Sequence, residues 1–169
     1  MNAPAPVPID SRNPPAAGYG VVSRETLKSV SGMELLQGMI EGRYPAPPIA
    51  ETLDFGLTEI KPGRVVFTGM PGKKHYNPSG SVHGGYAATL LDSAMGCAVH
   101  TLLQPGQGFT TLEIKVNYVR PMFDATGEVR CEAAVINMGK TVATAEGKVL
   151  DAKGRLIAHG TTTCLMFDI

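Results

Sequence analysis

The sequence shows no excess of either charge: 15 Lys and Arg face 15 Asp and Glu, for a formal net charge of +0 over 169 residues. Charged side chains make up only 18 % of the chain, so the basic face that marks nucleic-acid binders is lacking and no such partner is expected. Cysteine is scarce. Its three copies, Cys97, Cys131 and Cys164, lie in apolar or alternating segments without paired spacing. That argues against a metal site or redox couple and predicts buried thiols in a reducing compartment. The opening MNAPAPVPIDSRNPPAAG has neither the basic leader nor the apolar stretch of a secretory signal, so a cytoplasmic protein is expected. An uninterrupted membrane span is missing as well. Gly84 to Leu103 has the length for one, but it carries Asp92, His100 and several small residues, and the segments after it alternate like soluble strands.

What the chain does contain is material for one domain with one core. Residues 1–22, rich in Pro, Ala and Gly, hold too little apolar surface to pack and predict a mobile tail; residues 23–169 form the domain. Its first part is a helical extension. Within SGMELLQGMIEG, Ser31 and Glu34 have the spacing of a capping box, and Met33, Leu36, Met39 and Ile40 can share a face. The prolines of YPAPPIAE break that helix. ETLDFGLTEIKPGRVVFTGMP then reads as two strands around a KPGR turn. A Pro/Gly/Ser loop leads into a long stretch with no proline and few β-branched residues, which predicts a helix up to about Leu103. The segments GFTTLEIKVNYVRP, GEVRCEAAVINMG and KTVATAEGKVLDAKGRLIAHGTTTCLMF predict about four strands, the last segment turning at DAKG. Short links between them suggest a meander wrapped around the central helix, an α+β arrangement. The sheet would cover one side of that helix, and a second subunit is the simplest cover for the other.

The helical stretch concentrates the chemistry. Gly84 and Gly85 sit where the loop enters the helix, so unpaired N–H groups lie open to a ligand oxygen, although a double glycine also serves a tight turn. Asn77 can donate to an oxyanion, or simply shape an Asn-Pro turn. His83 can act at the site, bond nearby backbone to shape the entry to the helix, or do both. Asp92 is an acid amid apolar and small residues, and burying a charge is costly unless it is paired or used. It can be a polar core group satisfied by a hydroxyl or backbone amide, or a base, since burial strengthens a carboxylate as a base. Zinc is not expected, since His75, His83, His100 and His159 show no ligand spacing. Asp92 follows Gly84 by eight residues, about 12 Å along a helix. One chain cannot easily bring acid and oxyanion donor together, whereas two such helices antiparallel across a two-fold axis create two shared sites.

NPSGSVHGGYAATLLDSAMG followed by TTLEIKVNYVRP resembles the hotdog-fold acyl-CoA thioesterases of the phenylacetate-degradation (PaaI-like) branch, which includes thioesterase superfamily member 2. The resemblance runs from about Glu51 to Phe167. It implies a hotdog fold, homodimers as the minimal active unit and often homotetramers, and hydrolysis of acyl-CoA without metal or other cofactor. It further implies that Asn77 and the backbone N–H of Gly84 hold the thioester carbonyl, that Asp92 of the other subunit is base or nucleophile, and that Thr111 helps place the water. Strand alternation sets Thr111 with Glu113, Lys115 and Asn117, opposite Leu112, Ile114 and Val116. Arg120 and Lys140 are cations available for the coenzyme A phosphates, with Gly85 a further contact. Tyr86 and Met95 are candidates to line an acyl pocket. A hotdog hydratase or dehydratase, or a non-catalytic acyl-CoA binding module, stands as the alternative.

Overall fold

A computed structural model describes residues 15–169. Three short helices come first: α1 (Arg24–Ser29), α2 (Gly32–Ile40) and α3 (Pro48–Leu53). The capping box that opens α2 is formed, with Ser31 Oγ accepting from the Glu34 N–H and the Glu34 carboxylate accepting from the Ser31 N–H at 2.8 Å. Its buried face is centred on Leu35 and Leu36, with Met33, Met39 and Ile40 only partly covered. α2 ends before the prolines, at Gly42, which has φ 73; its N–H donates to the Met39 carbonyl and the Arg43 N–H to the Gly38 carbonyl. This glycine-terminated helix end corrects the expected proline break. The prolines instead start α3, where Pro48 fills the first helical position. Proline is tolerated there because that N–H has no intrahelical partner anyway. Glu51 to Leu53 are therefore helical rather than the beginning of a strand. Of the predicted tail, residues 1–14 lie outside the described residues. Residues 15–22 are tied down by hydrogen bonds of Gly18 and Gly20 with Ala46.

Among the described residues the sheet has six strands: β1 (Phe55–Lys61), β2 (Arg64–Gly69), β3 (Gln107–Tyr118), β4 (Val129–Met138), β5 (Val142–Asp151) and β6 (Leu156–Asp168). β1 and β2 form the hairpin around Pro62 and Gly63, with Gly63 at φ 70, a conformation that costs glycine little. The spatial order is β1-β2-β4-β5-β6-β3, every neighbour antiparallel. Only β4, β5 and β6 follow as a meander. β3 pairs with β6 at the far edge, so residues 119–128 must cross the end of the sheet to reach β4, and the simple meander is corrected to this crossover.

α4 (Gly84–His100) lies across the sheet. Tyr86, Ala87, Leu90, Leu91, Ala94, Met95, Ala98 and Val99 are all buried, adjacent pairs recurring every four residues as a helix seated on a sheet requires. This is the hotdog arrangement. Two glycines paired across β5 and β6, Gly147 and Gly160, let the helix come close: Cβ atoms there would lie 3.1 and 3.6 Å from the Leu91 methyls. The C-terminal end of α4 is also held, because Thr101 Oγ1 donates to the Ala98 carbonyl and accepts from the Gly63 N–H at 2.8 Å. The opposite face of α4, with Ala88, Thr89, Asp92, Ser93 and Cys97, is only partly covered.

Tyr86 and Met95 are core residues of the single chain, 3 % and 0 % exposed, so neither is open to a ligand. The Tyr86 ring packs 4.8 Å from His75. Its hydroxyl is buried against Gly69 and has no hydrogen-bond partner among the described residues, and burial, then the charge of Asp54, pushes that phenol up. A buried, unsatisfied hydroxyl is destabilising. Tyr86→Phe is therefore expected to raise stability by about 1 kcal/mol, seen as a higher urea midpoint with an unchanged slope.

Candidate active site

Residues 75–83 fold back on themselves before α4. The His83 N–H donates to the His75 carbonyl at 2.7 Å, Tyr76 bridges Val82, and the Asn77 N–H donates to the Ser81 carbonyl at 2.8 Å. Asn77 organises this excursion from inside: its Oδ1 accepts from the N–H groups of Ser79 and Ser81, and its Nδ2 donates to Ser81 Oγ at 3.1 Å. The turn-forming role weighed for Asn77 is thus present. The second N–H of its amide is additional donor capacity.

The crossover segment clamps the excursion from outside. The Val82 N–H donates to the Met122 carbonyl, and Tyr76 Oη donates to Asp124 Oδ1 at 2.7 Å while accepting from the Asp124 N–H. Tyr76 carries no local signature in the sequence, and His75 stands out there only as a histidine without ligand spacing. His75 is buried, accepts from the Gly72 N–H through Nδ1 at 3.0 Å, and is held below the usual histidine range by burial, with Asp54 opposing.

His83 is the N-cap of α4, and its Nδ1 accepts from the Gly85 N–H at 2.8 Å. A Cβ on Gly85 would lie 2.9 Å from that nitrogen, and one on Gly84 would lie 3.1 Å from the Tyr118 ring. Both glycines therefore make room for side chains of this chain. The Gly85 N–H is taken by His83, and the Tyr86 N–H by the His83 carbonyl. Gly84, at the first helical position, has no intrahelical acceptor for its N–H, and none is found elsewhere among the described residues. It is the open donor at this end of the helix.

Asp92 stands two turns further along, partly buried on the less covered face. Thr111 Oγ1 donates to its Oδ1 at 2.8 Å. This places Thr111 on the helix side of β3 and corrects the expected facing. The register between β3 and β6 shifts between Thr111 and Glu113, a bulge that inserts one residue, so alternation on one side of it does not carry to the other. Leu112, the extra residue, is 58 % exposed. The Asp92 charge is felt nearby: burial first, and Asp92 second, push the Cys97 thiol to about 12, and Asp92 also raises Cys164, mainly raised by burial. Thr111→Val removes a donor to a charged acceptor, worth about 1.5–3 kcal/mol. It is expected to lower kcat by roughly 10- to 100-fold, with Thr111→Ser restoring most of the loss.

The cations separate. Arg120 lies on the Gly84 end, donating to the Leu156 carbonyl and lining, with Val82, Gly84, Tyr118 and Met122, an open groove of about 330 Å³. Lys140 is exposed in the turn between β4 and β5. That turn lies toward the start of β3, since the Thr141 carbonyl accepts from Met166 and Met166 pairs with Phe109. Within one chain the two do not form a joint phosphate cradle. Among the described residues no group of three His, Cys, Asp or Glu converges as metal ligands would, and no helix is long and apolar enough to cross a membrane.

Residues 79–158 match the thioesterase superfamily. Human acyl-coenzyme A thioesterase 13 is 31 % identical over 63 % of this chain and 76 % of its own length. The chain belongs to the thioesterase superfamily. A protein of Halobacterium salinarum that carries an esterase name is 40 % identical over 45 % of this chain, and the match spans half of its length. The phenylacetic acid degradation protein of Thermus thermophilus, whose structure was solved as a mutant, is 29 % identical, with a TM-score of 0.63 over 70 % of this chain and 97 % of that one. In this superfamily member the matched region contains Gly84, Asp92 and Thr111, whereas Asn77 lies just before it.

Proposed function

We propose that this thioester hydrolase cleaves acyl-coenzyme A to a carboxylic acid and free coenzyme A in sites shared between two subunits. The observation that carries the reading is Asp92: a carboxylate on the less covered face of the central helix, oriented by Thr111. Gly84, eight residues earlier, is about 12 Å away along the axis. The Gly84 N–H and the spare Asn77 N–H of one subunit would hold the thioester oxygen, and Asp92 of the other would act on the carbonyl carbon. Asp92 either takes a proton from water as the water attacks, or attacks directly to give an anhydride that water then opens. In both routes the C–S bond breaks and the thiolate leaves to be protonated as coenzyme A.

Support for the acyl-CoA class comes from relatives, including the 1,4-dihydroxy-2-naphthoyl-CoA hydrolase of Listeria monocytogenes, 25 % identical over 68 % of this chain and 92 % of its own length. Support for two subunits comes from β3, an edge strand beside Asp92 whose outer backbone groups have no neighbouring strand among the described residues and can pair across a two-fold axis. A homotetramer of two such dimers, Arg120 and Lys140 as phosphate contacts and a cytoplasmic location belong to the same reading, the last favoured by three unpaired cysteines. No cofactor beyond the coenzyme A of the substrate enters it.

The test is free-thiol release from short, medium, long and aryl acyl-CoAs, with sedimentation of the active fractions. Turnover of at least one class, confined to dimers or larger, is expected. Binding of acyl-CoA without turnover would point to the binding module, and hydration of an enoyl-CoA without thiol release to the lyase.

A further inference from the structure

A backbone N–H can only donate a hydrogen bond, so the nitrogen that receives one from Gly85, Nδ1 of His83 at 2.8 Å, must present a lone pair. In the neutral ring the proton is then on Nε2. The Gly85 N–H belongs to the same peptide group as the Gly84 carbonyl, and that carbonyl accepts from Tyr118 Oη at 3.1 Å. Donation to the oxygen of a peptide polarises its N–H and strengthens the bond made on the other side. The three groups form a chain: phenol to carbonyl, through one peptide, N–H to imidazole. Each glycine is needed for one half of it. A Cβ on Gly84 would meet the Tyr118 ring, and a Cβ on Gly85 would meet His83 Nδ1.

We propose that Tyr118 is a positioning residue that acts through the Gly84–Gly85 peptide to hold His83 as its Nε2–H tautomer. His83 is exposed, so that N–H is an outward donor at the end of α4 where the Gly84 N–H is also open. If the acyl-CoA hydrolase reading holds, this is a further donor for the thioester or its neighbouring carbonyl; the tautomer itself does not depend on that reading. The same logic explains why a residue at the end of β3 bears on a loop more than thirty positions earlier. Tyr118 is 57 % exposed, so its ring contributes little to the core and its hydroxyl can be removed without unfolding the chain.

The experiment is ¹⁵N NMR of the imidazole nitrogens in histidine-labelled protein, wild type and Tyr118→Phe, with His83→Gln used to assign the signals. In the wild type, Nδ1 of His83 should resonate as an unprotonated nitrogen and Nε2 as a protonated one. In Tyr118→Phe, both signals should move toward the averaged positions of a free imidazole. Thiol-release kinetics on the preferred acyl-CoA should show kcat lowered about 3- to 10-fold, with KM changed less than twofold. In the His83→Gln background, Tyr118→Phe should cause no further loss, because its effect runs through the ring. A wild-type His83 with its proton on Nδ1, signals unmoved by Tyr118→Phe, or an equal loss in the His83→Gln background would each overturn the proposal. Absence of acyl-CoA turnover by the wild type would instead overturn the hydrolase reading, and the NMR comparison would still decide the tautomer.

Discussion

Turnover by Asp92→Asn should fall about 10²- to 10⁴-fold below wild type, the range supplied by a positioned general base. The substitution is close to isosteric, and an amide oxygen in place of Oδ1 can still accept from Thr111, so the 2.8 Å contact and the packing of α4 should survive. What is lost is the negative charge and the basic lone pair. Thiol release on the best acyl-CoA, measured on protein shown by circular dichroism and sedimentation to fold and assemble like wild type, checks this. A loss smaller than tenfold would remove Asp92 from the reaction. A second readout is built into the surroundings: with the charge gone, the Cys97 thiol should titrate below its elevated value of about 12. Burial, the larger cause, would keep it above the ordinary range.

Leu91→Ala should cost about 2–5 kcal/mol of stability. Leu91 is fully buried, and its two methyls sit over Gly147 and Gly160. Large-to-small changes are most costly where the surroundings cannot collapse into the space, and here the floor is backbone of two central, paired strands. Neither glycine has a side chain that could swing into the gap. Urea unfolding followed by circular dichroism provides the measurement, and a loss under 1 kcal/mol would mean that the helix resettles on the sheet. Ala88→Gly, on the less covered face of the same helix, separates packing from propensity, since it should cost only about 1 kcal/mol.

Much of the architecture was legible because it is written in local rules. The Ser31 and Glu34 capping box, the Pro62–Gly63 hairpin turn, the helix beginning at Gly84 and the turn within DAKG are each determined by a few neighbouring residues, and all are present. The elements that were misread lie where a local rule meets a longer-range one. The prolines predict the stop of α2, but Gly42 ends that helix and Pro48 begins the next, since proline suits a first turn whose N–H has no partner. Short links suggested a meander, but link length does not say on which edge a strand is added, and β3 joined β6. Thr111 was assigned by alternation, which holds only while the register is unbroken, and the bulge at Leu112 breaks it.

By itself the sequence determined that a helix with a single acid would lie on an antiparallel sheet, and that a pair of glycines would stand at its N-terminus, because helix and strand periods and turn chemistry act within a few residues. Only the tertiary structure decided which partners those groups meet. Thr111 reaches Asp92, Tyr118 reaches the Gly84 carbonyl, and Tyr76 is tied to Asp124, across separations of 19, 34 and 48 residues. The first two depend on placing β3 antiparallel to α4 at the sheet edge, the third on the crossover that this placement forces. Such contacts arise from strand order and register, which are settled by burying one shared core rather than by any short stretch of chain.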